Sequence, residues 1–146
     1  MGASRILPDR SKVLDLDEAN RLLPRVQVLM ARMRRRVALR QRLATEMLVL
    51  QVVCDSCTGD TPDFEEYLDK KVRYHRLGGQ VDALVDRLAE LGCVVRNRDA
   101  SWVDFTYMRQ DGLAVLCWRH GEDRISHWHF MHESHADRRL VIGAEI

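Results

Sequence analysis

Long apolar runs are missing from this 146-residue chain. None approaches the roughly 18 residues that a bilayer-spanning helix needs, so no segment is expected to cross a membrane. Met1 to Lys12 hold no apolar stretch of the kind a secretory signal carries, and a cytoplasmic protein is expected. Net charge is missing too: 23 basic side chains meet 22 acidic ones, a formal +1, which argues against a surface given over wholly to nucleic acid or acidic lipid. There is no glycine-rich phosphate loop of the GxGxxG or Walker kind and no GxSxG elbow. His132-Glu133-Ser134-His135 has the composition of a zinc-helix motif but not its spacing, since helical ligands stand four apart. Cysteine is sparse, with four residues expected to be reduced. Cys54-Asp55-Ser56-Cys57 is a single C-x-x-C, and Cys93 and Cys117 stand alone rather than supplying a second pair. The pair reads first as small residues near a turn, with a redox or metal role as alternatives.

With 46% hydrophobic and 31% charged residues the chain is too apolar for disorder, and its length makes one domain whose core needs no disulfide or metal to form. The near-zero charge hides an asymmetry. Residues 1–53 carry eleven basic and five acidic side chains, and residues 54–146 carry twelve and seventeen. Most of the basic excess is Arg32, Arg34, Arg35, Arg36, Arg40 and Arg42. No aromatics interleave with these arginines as a base-stacking surface would require, so they read as a solvated helix face or one that docks on an acidic surface.

The periodicity predicts an α+β fold: a flexible arm over 1–13, a long antiparallel helical hairpin over 14–92, and a small antiparallel β-sheet over 93–146 packed on it as one domain. Asp15 followed by Glu18 marks a helix start, which Pro24 then either restarts or kinks. Val26, Leu29, Met30, Met33, Val37, Leu43, Met47 and Leu50 recur at three- and four-residue steps. The resulting apolar stripe is longer than a small domain covers, which points to a partner helix. Thr61-Pro62 with Asp63, Glu65 and Glu66 opens the second helix, Gly92 closes it, and Gly78-Gly79 marks either a break or a close approach. Strands are expected at Cys93–Val95, Trp102–Tyr107, Leu113–Arg119 and Arg124–Met131, the last two joined by a four-residue turn at His120–Asp123. That turn pairs Leu116 with His127 and Ala114 with His129. It places the histidines on one face with Trp118 and Ile125, and turns Cys117 toward Ser126, away from them.

Five of the six histidines fall within sixteen residues: His120, His127, His129, His132 and His135. His127 and His129 stand two apart on a strand, so their rings leave one face about 7 Å apart. His132 and His135 lie just beyond. His127, His129, His132 and His135 form the candidate metal set, suited to zinc, nickel, copper or iron. The alternative is hydrogen bonding on a partly buried face. His75 carries no signal.

The chain resembles the bacterial domain-of-unknown-function family numbered 2203. The resemblance runs from about Val13 to Ile142. It is carried by Leu14-x-x-x-Glu18-Ala19-Asn20-x-Leu22-Leu23-Pro24, by Leu91-Gly92-Cys93-Val94-Val95 followed by Val103-Asp104-Phe105, and most specifically by Leu116-Cys117-Trp118-x-x-Gly121-Glu122-x-x-Ile125-x-x-Trp128-His129 and then Arg138. It implies a shared fold and a shared site but no reaction. The residues it marks are Asp104, Cys117, Trp118, Glu122, Trp128, His129 and Arg138. His120, His127, His132 and His135 stand outside its pattern, and Leu140 takes the place of a usual proline.

Three functions follow as expectations. The first is a non-enzymatic assembly domain that forms a homodimer, or docks a protein partner, through the helical hairpin. The second is a metal-binding accessory or sensor protein using the histidine cluster. The third is a small enzyme with a polar network of Asp104, Glu122, His129 and Arg138, for which the residues specify no substrate.

Overall fold

The structure, a computed structural model, describes residues 12–53, 62–97 and 99–142. The Cys54/Cys57 pair, Thr61 and the arm through residue 11 lie outside the described residues. Helix α1 spans Leu16–Val53 and helix α2 spans Pro62–Glu90. The Asp15 carboxylate accepts the Glu18 N–H at 2.7 Å, so the cap expected from the sequence is present. Pro24 lies inside α1 without interrupting it: the helix runs unbroken for 38 residues. Val26, Leu29, Met30, Met33 and Leu43 bury the predicted stripe.

Gly78 and Gly79 likewise do not break α2. A Cβ at Gly78 would stand 2.8 Å from the Arg40 guanidinium, so this glycine admits an arginine of the facing helix. Arg40 there donates to the Tyr74 carbonyl and lies over the Tyr74 ring. Gly79 faces open space. Part of the arginine row thus serves the fold itself: Arg34 donates to Ala100 O and Arg36 to Gln80, while Arg32, Arg35 and Arg42 stay exposed. Gly92, at φ +91°, ends the hairpin in the left-handed conformation expected of it.

Five antiparallel strands follow in sequence order: β1 Cys93–Val95, β2 Trp102–Arg109, β3 Gly112–Arg119, β4 His127–Phe130 and β5 Arg139–Leu140. The inner face presents Cys93, Val103, Phe105, Tyr107, Ala114, Leu116, Trp118 and Trp128 to Ala19, Leu23, Val26 and Met30 of α1 and to Leu84 and Leu88 of α2. This is the core. Asp104, Cys117, His127 and His129 alternate with those residues and so stand on the outer face.

The β3–β4 register corrects the expected one. Leu116 pairs with Trp128, Cys117 with His127 and Val115 with His129. A shift of one residue turns every β4 side chain to the other face. The histidines therefore leave Trp118 and share a face with Cys117. The reason is the length of the connection, residues 120–126 rather than four. Glu122 N–H returns to Arg119 O with Gly121 at φ +100°, forming the turn proper. Ile125 is then withheld from the sheet by Asn20 of α1, whose side chain accepts the Ile125 N–H at 2.8 Å and donates to its carbonyl at 3.1 Å. Trp118 Nε1 donates to Glu122 O and fastens the same loop. Strand β4 begins two residues later. Strand β5 and the 3-10 turn at His135–Asp137 are additions to the expected fold. The 3-10 turn sets His135 over the outer face, and β5 extends the sheet at its β4 edge.

Candidate functional site

The row across the outer face is set by the ladders. Asp104 on β2 is the direct partner of Cys117 on β3, and Cys117 of His127 on β4. His129 lies one step along β4, diagonal to Cys117 and within reach of a long side chain. The 3-10 turn then lowers His135 onto the row, with its ring 4.1 Å from the Trp102 ring and 5.3 Å from the His129 ring. One ligand atom each of Cys117, His129 and His135 lies within 4.8 Å of the other two. Asp104 Oδ1 is 3.5 Å from His135 Nε2, so the carboxylate stands beside this group of three.

Asp104 and His129 are each only 4% exposed. Among the described residues Asp104 Oδ1, His129 Nε2 and His135 Nδ1 are buried without a hydrogen-bond partner. Such atoms usually have partners, and three together in one place call for a reason. The far side of each group is well satisfied. Asp104 Oδ2 accepts from Arg96 Nε at 2.8 Å. His129 Nδ1 meets Phe130 O at 2.7 Å, so it carries the proton and leaves the Nε2 lone pair facing the cluster. Arg138 donates to Glu122 at 3.0 Å, and its charge acts on the neighbouring Cys117 thiol.

Burial dominates the electrostatics. It raises the Asp104 carboxyl above its ordinary range against the pull of His135, Arg96 and His129, and it lowers His135 against the attraction of Asp104. It also pushes the Cys117 thiol up to about 11, despite the Arg138 charge. A thiol at that value is a poor nucleophile at neutral pH, since the thiolate is the reactive form. A divalent cation reverses this balance, because a coordinated thiol is deprotonated outright and a carboxylate gains its countercharge.

Four sequence-marked residues thus converge: Asp104, Cys117, His129 and His135. The structure places the others apart from them. His127 stands 3.5 Å from Glu122 and 3.0 Å from Ser126 Oγ. His132 stacks on Phe130 and is exposed. His120 packs edge-on to Trp118. Glu122 and Arg138 form a second network that neighbours the first at Cys117. Glu122 also accepts the Arg119 N–H at 2.7 Å. Burial raises its carboxyl, but the bonds from Arg138 and Arg119 outweigh that and leave it below its ordinary value. Arg96 is the site residue the sequence left unmarked. Its only signal is a position just past β1, the neighbour of the strand that carries Asp104.

A family model described as an uncharacterized conserved protein (DUF2203) matches residues 12–141, and the chain belongs to that family. No curated protein and no solved structure matches the chain. Among the described residues no helix is long and apolar enough to cross a membrane.

Proposed function

We propose that this member of the DUF2203 family is a metal-binding protein, and that Cys117, His129 and His135, with Asp104, hold one transition-metal ion on the outer face of the sheet. One observation carries the reading: ligand atoms of Cys117, His129 and His135 lie within 4.8 Å of one another, the Asp104 carboxylate stands 3.5 Å from His135, and Asp104 Oδ1, His129 Nε2 and His135 Nδ1 have no hydrogen-bond partner among the described residues. A thiolate, two imidazoles and a carboxylate suit zinc best among the divalent ions, with iron and nickel as competitors. The outer contacts support the same reading: a backbone carbonyl on His129 and a guanidinium on Asp104 orient ligands as such contacts do in metal sites. A reducing cytoplasm would keep Cys117 available as a ligand. The test is the metal content of untagged protein purified without chelator. About one equivalent is expected, lost in Cys117→Ala/His129→Ala and kept in His120→Ala and His132→Ala. Wild-type protein that stays metal-free after zinc loading overturns the reading.

A second reading concerns assembly. At the end of the hairpin where α1 passes into α2, Leu48, Val49, Val52, Val53, Leu68 and Val72 are exposed, Val52 to 74%. Tyr67 meets Gln51 and Lys70 meets Glu46, so these residues from the two helices lie side by side. A second copy of the chain fits this surface. The exposed Arg32, Arg35 and Arg42 of α1 complement Asp63, Glu65, Glu66 and Asp69 of α2 in a two-fold pairing. Light scattering would then give twice the 17.0 kDa chain mass, and a monomer at micromolar concentration would refute it.

A further inference from the structure

Three of the four donors stand on the sheet, Asp104 on β2, Cys117 on β3 and His129 on β4. The fourth does not. His135 belongs to the segment 131–142, whose 3-10 turn sets His135 over the outer face and whose two-residue strand β5 pairs at the β4 edge of the sheet. The segment's other fastenings lie mostly toward its C-terminal end. Strand β5 pairs with β4 at two positions, Val141 N–H reaches Ser126 O at 2.8 Å and its side chain packs on the core, Arg138 reaches Glu122 at 3.0 Å, and the Arg139 guanidinium lies 4.7 Å from the Trp128 ring. The Glu133 contacts, to Arg139 and to Phe130 N–H, lie within the segment or at its root. His135 itself adds an edge contact with Trp102, a ring contact with His129 and a 3.5 Å approach to Asp104. Among the described residues its Nδ1 is buried without a partner, and so are His129 Nε2 and Asp104 Oδ1 beneath it. Without an ion, the closed segment therefore buries polar atoms that solvent would satisfy if it lifted.

We infer that the ion is zinc and that it acts as a clasp: by adding His135 to the three sheet donors it holds residues 131–142 against the sheet, and its loss releases them. This inference rests on the metal reading above. The donor set is neutral when filled, one thiolate and one carboxylate against a dication, with two imidazoles completing the tetrahedral number that zinc prefers. Four protein donors leave no position for a substrate, so the site works as a structural or sensing centre rather than a catalytic one. Binding energy at the site then appears as docking energy of the segment, as metal binding is coupled to folding elsewhere. Release would uncover Trp102 and Cys117 and break the Glu122–Arg138 pair. The zinc-dependent surface is therefore the outer sheet face, opposite the helical hairpin.

The experiment is amide hydrogen exchange on the full chain, with and without one equivalent of zinc. Zinc affinity is measured in the same samples by competition with a chromogenic chelator. In wild-type protein bound zinc is expected to slow exchange in residues 131–142 by about tenfold or more, with little change in α1. In His135→Ala the three sheet donors are expected to bind zinc at least about tenfold more weakly, with no added protection of the segment. Zinc bound by the wild type with unchanged exchange overturns the clasp and leaves the metal site standing, and so does equal affinity in His135→Ala. Failure of the wild type to bind zinc overturns both. The comparison of wild type with and without zinc needs no variant to fold.

Discussion

Asp104 and Cys117 are direct partners in the β2–β3 ladder, both on the face turned from the helices, and Arg96 donates to the Asp104 carboxylate from outside. Two groups that must both become anionic to bind a cation are thus set side by side. Without an ion, burial drives both toward their neutral forms.

Replacing Asp104 by Asn keeps the shape but removes the charge. Zinc affinity is expected to fall at least about tenfold, while the apo protein loses no stability because a desolvated carboxyl has been removed. Chelator competition and thermal unfolding, each with and without zinc, separate the two effects. An Asp104→Asn protein that binds zinc as the wild type does would remove Asp104 from the site.

Asn20 holds both backbone groups of Ile125 and thereby sets where β4 begins. Asn20→Ala leaves those groups buried beneath α1 and is expected to cost about 2 kcal/mol in urea unfolding. Since the β4 register follows from this contact, zinc affinity should fall with it although Asn20 is remote from the ion. A stability loss below about 0.5 kcal/mol, within the range of ordinary surface substitutions, would mean that the loop is held by other contacts.

Glu122 gives a pH dependence whose sign follows from its contacts. Its carboxyl is held below the ordinary 4.5, so the folded state favours the ionised form. The stability it contributes is present above the unfolded-state value and is lost as pH falls through the folded one. Unfolding free energy should therefore drop in acid more steeply for wild type than for Glu122→Gln, with the difference confined to the region below about pH 4.5. Parallel curves down to acid unfolding would contradict the pairing with Arg138.

The two helical glycines should respond differently to alanine. Gly79 faces open space, so Gly79→Ala should stabilise by about 1 kcal/mol through helix propensity alone. At Gly78 the new methyl displaces the Arg40 guanidinium from Tyr74, and most of that gain is expected to be lost. Equal gains at both sites would show that the Arg40 contact contributes little.

The hairpin was legible because local signals agreed with the fold: the Asp15 cap, the apolar steps from Val26 to Leu43 and Gly92 at the end are short-range features. The strands were legible by alternation. The β3–β4 register was not, because Ile125 is held out of the sheet by Asn20, 105 positions earlier in the chain. That one-residue error hid the main feature of the site by turning Cys117 away from the histidines. Asp104, Cys117 and His129 were marked by family resemblance and His135 by the histidine cluster. Their convergence depends on the 3-10 turn, which no periodic pattern announces. His127 and His132 belong to the same cluster in sequence, yet Glu122 and Phe130 hold them elsewhere.

The central claim is one ion held by this donor set, and X-ray absorption at the zinc edge of the loaded wild-type protein tests it most directly. The account predicts a single sulfur at about 2.3 Å and three nitrogen or oxygen neighbours at about 2.0–2.1 Å, with the sulfur shell absent in Cys117→Ser. A sphere of six light atoms, or one without sulfur in the wild type, would contradict it.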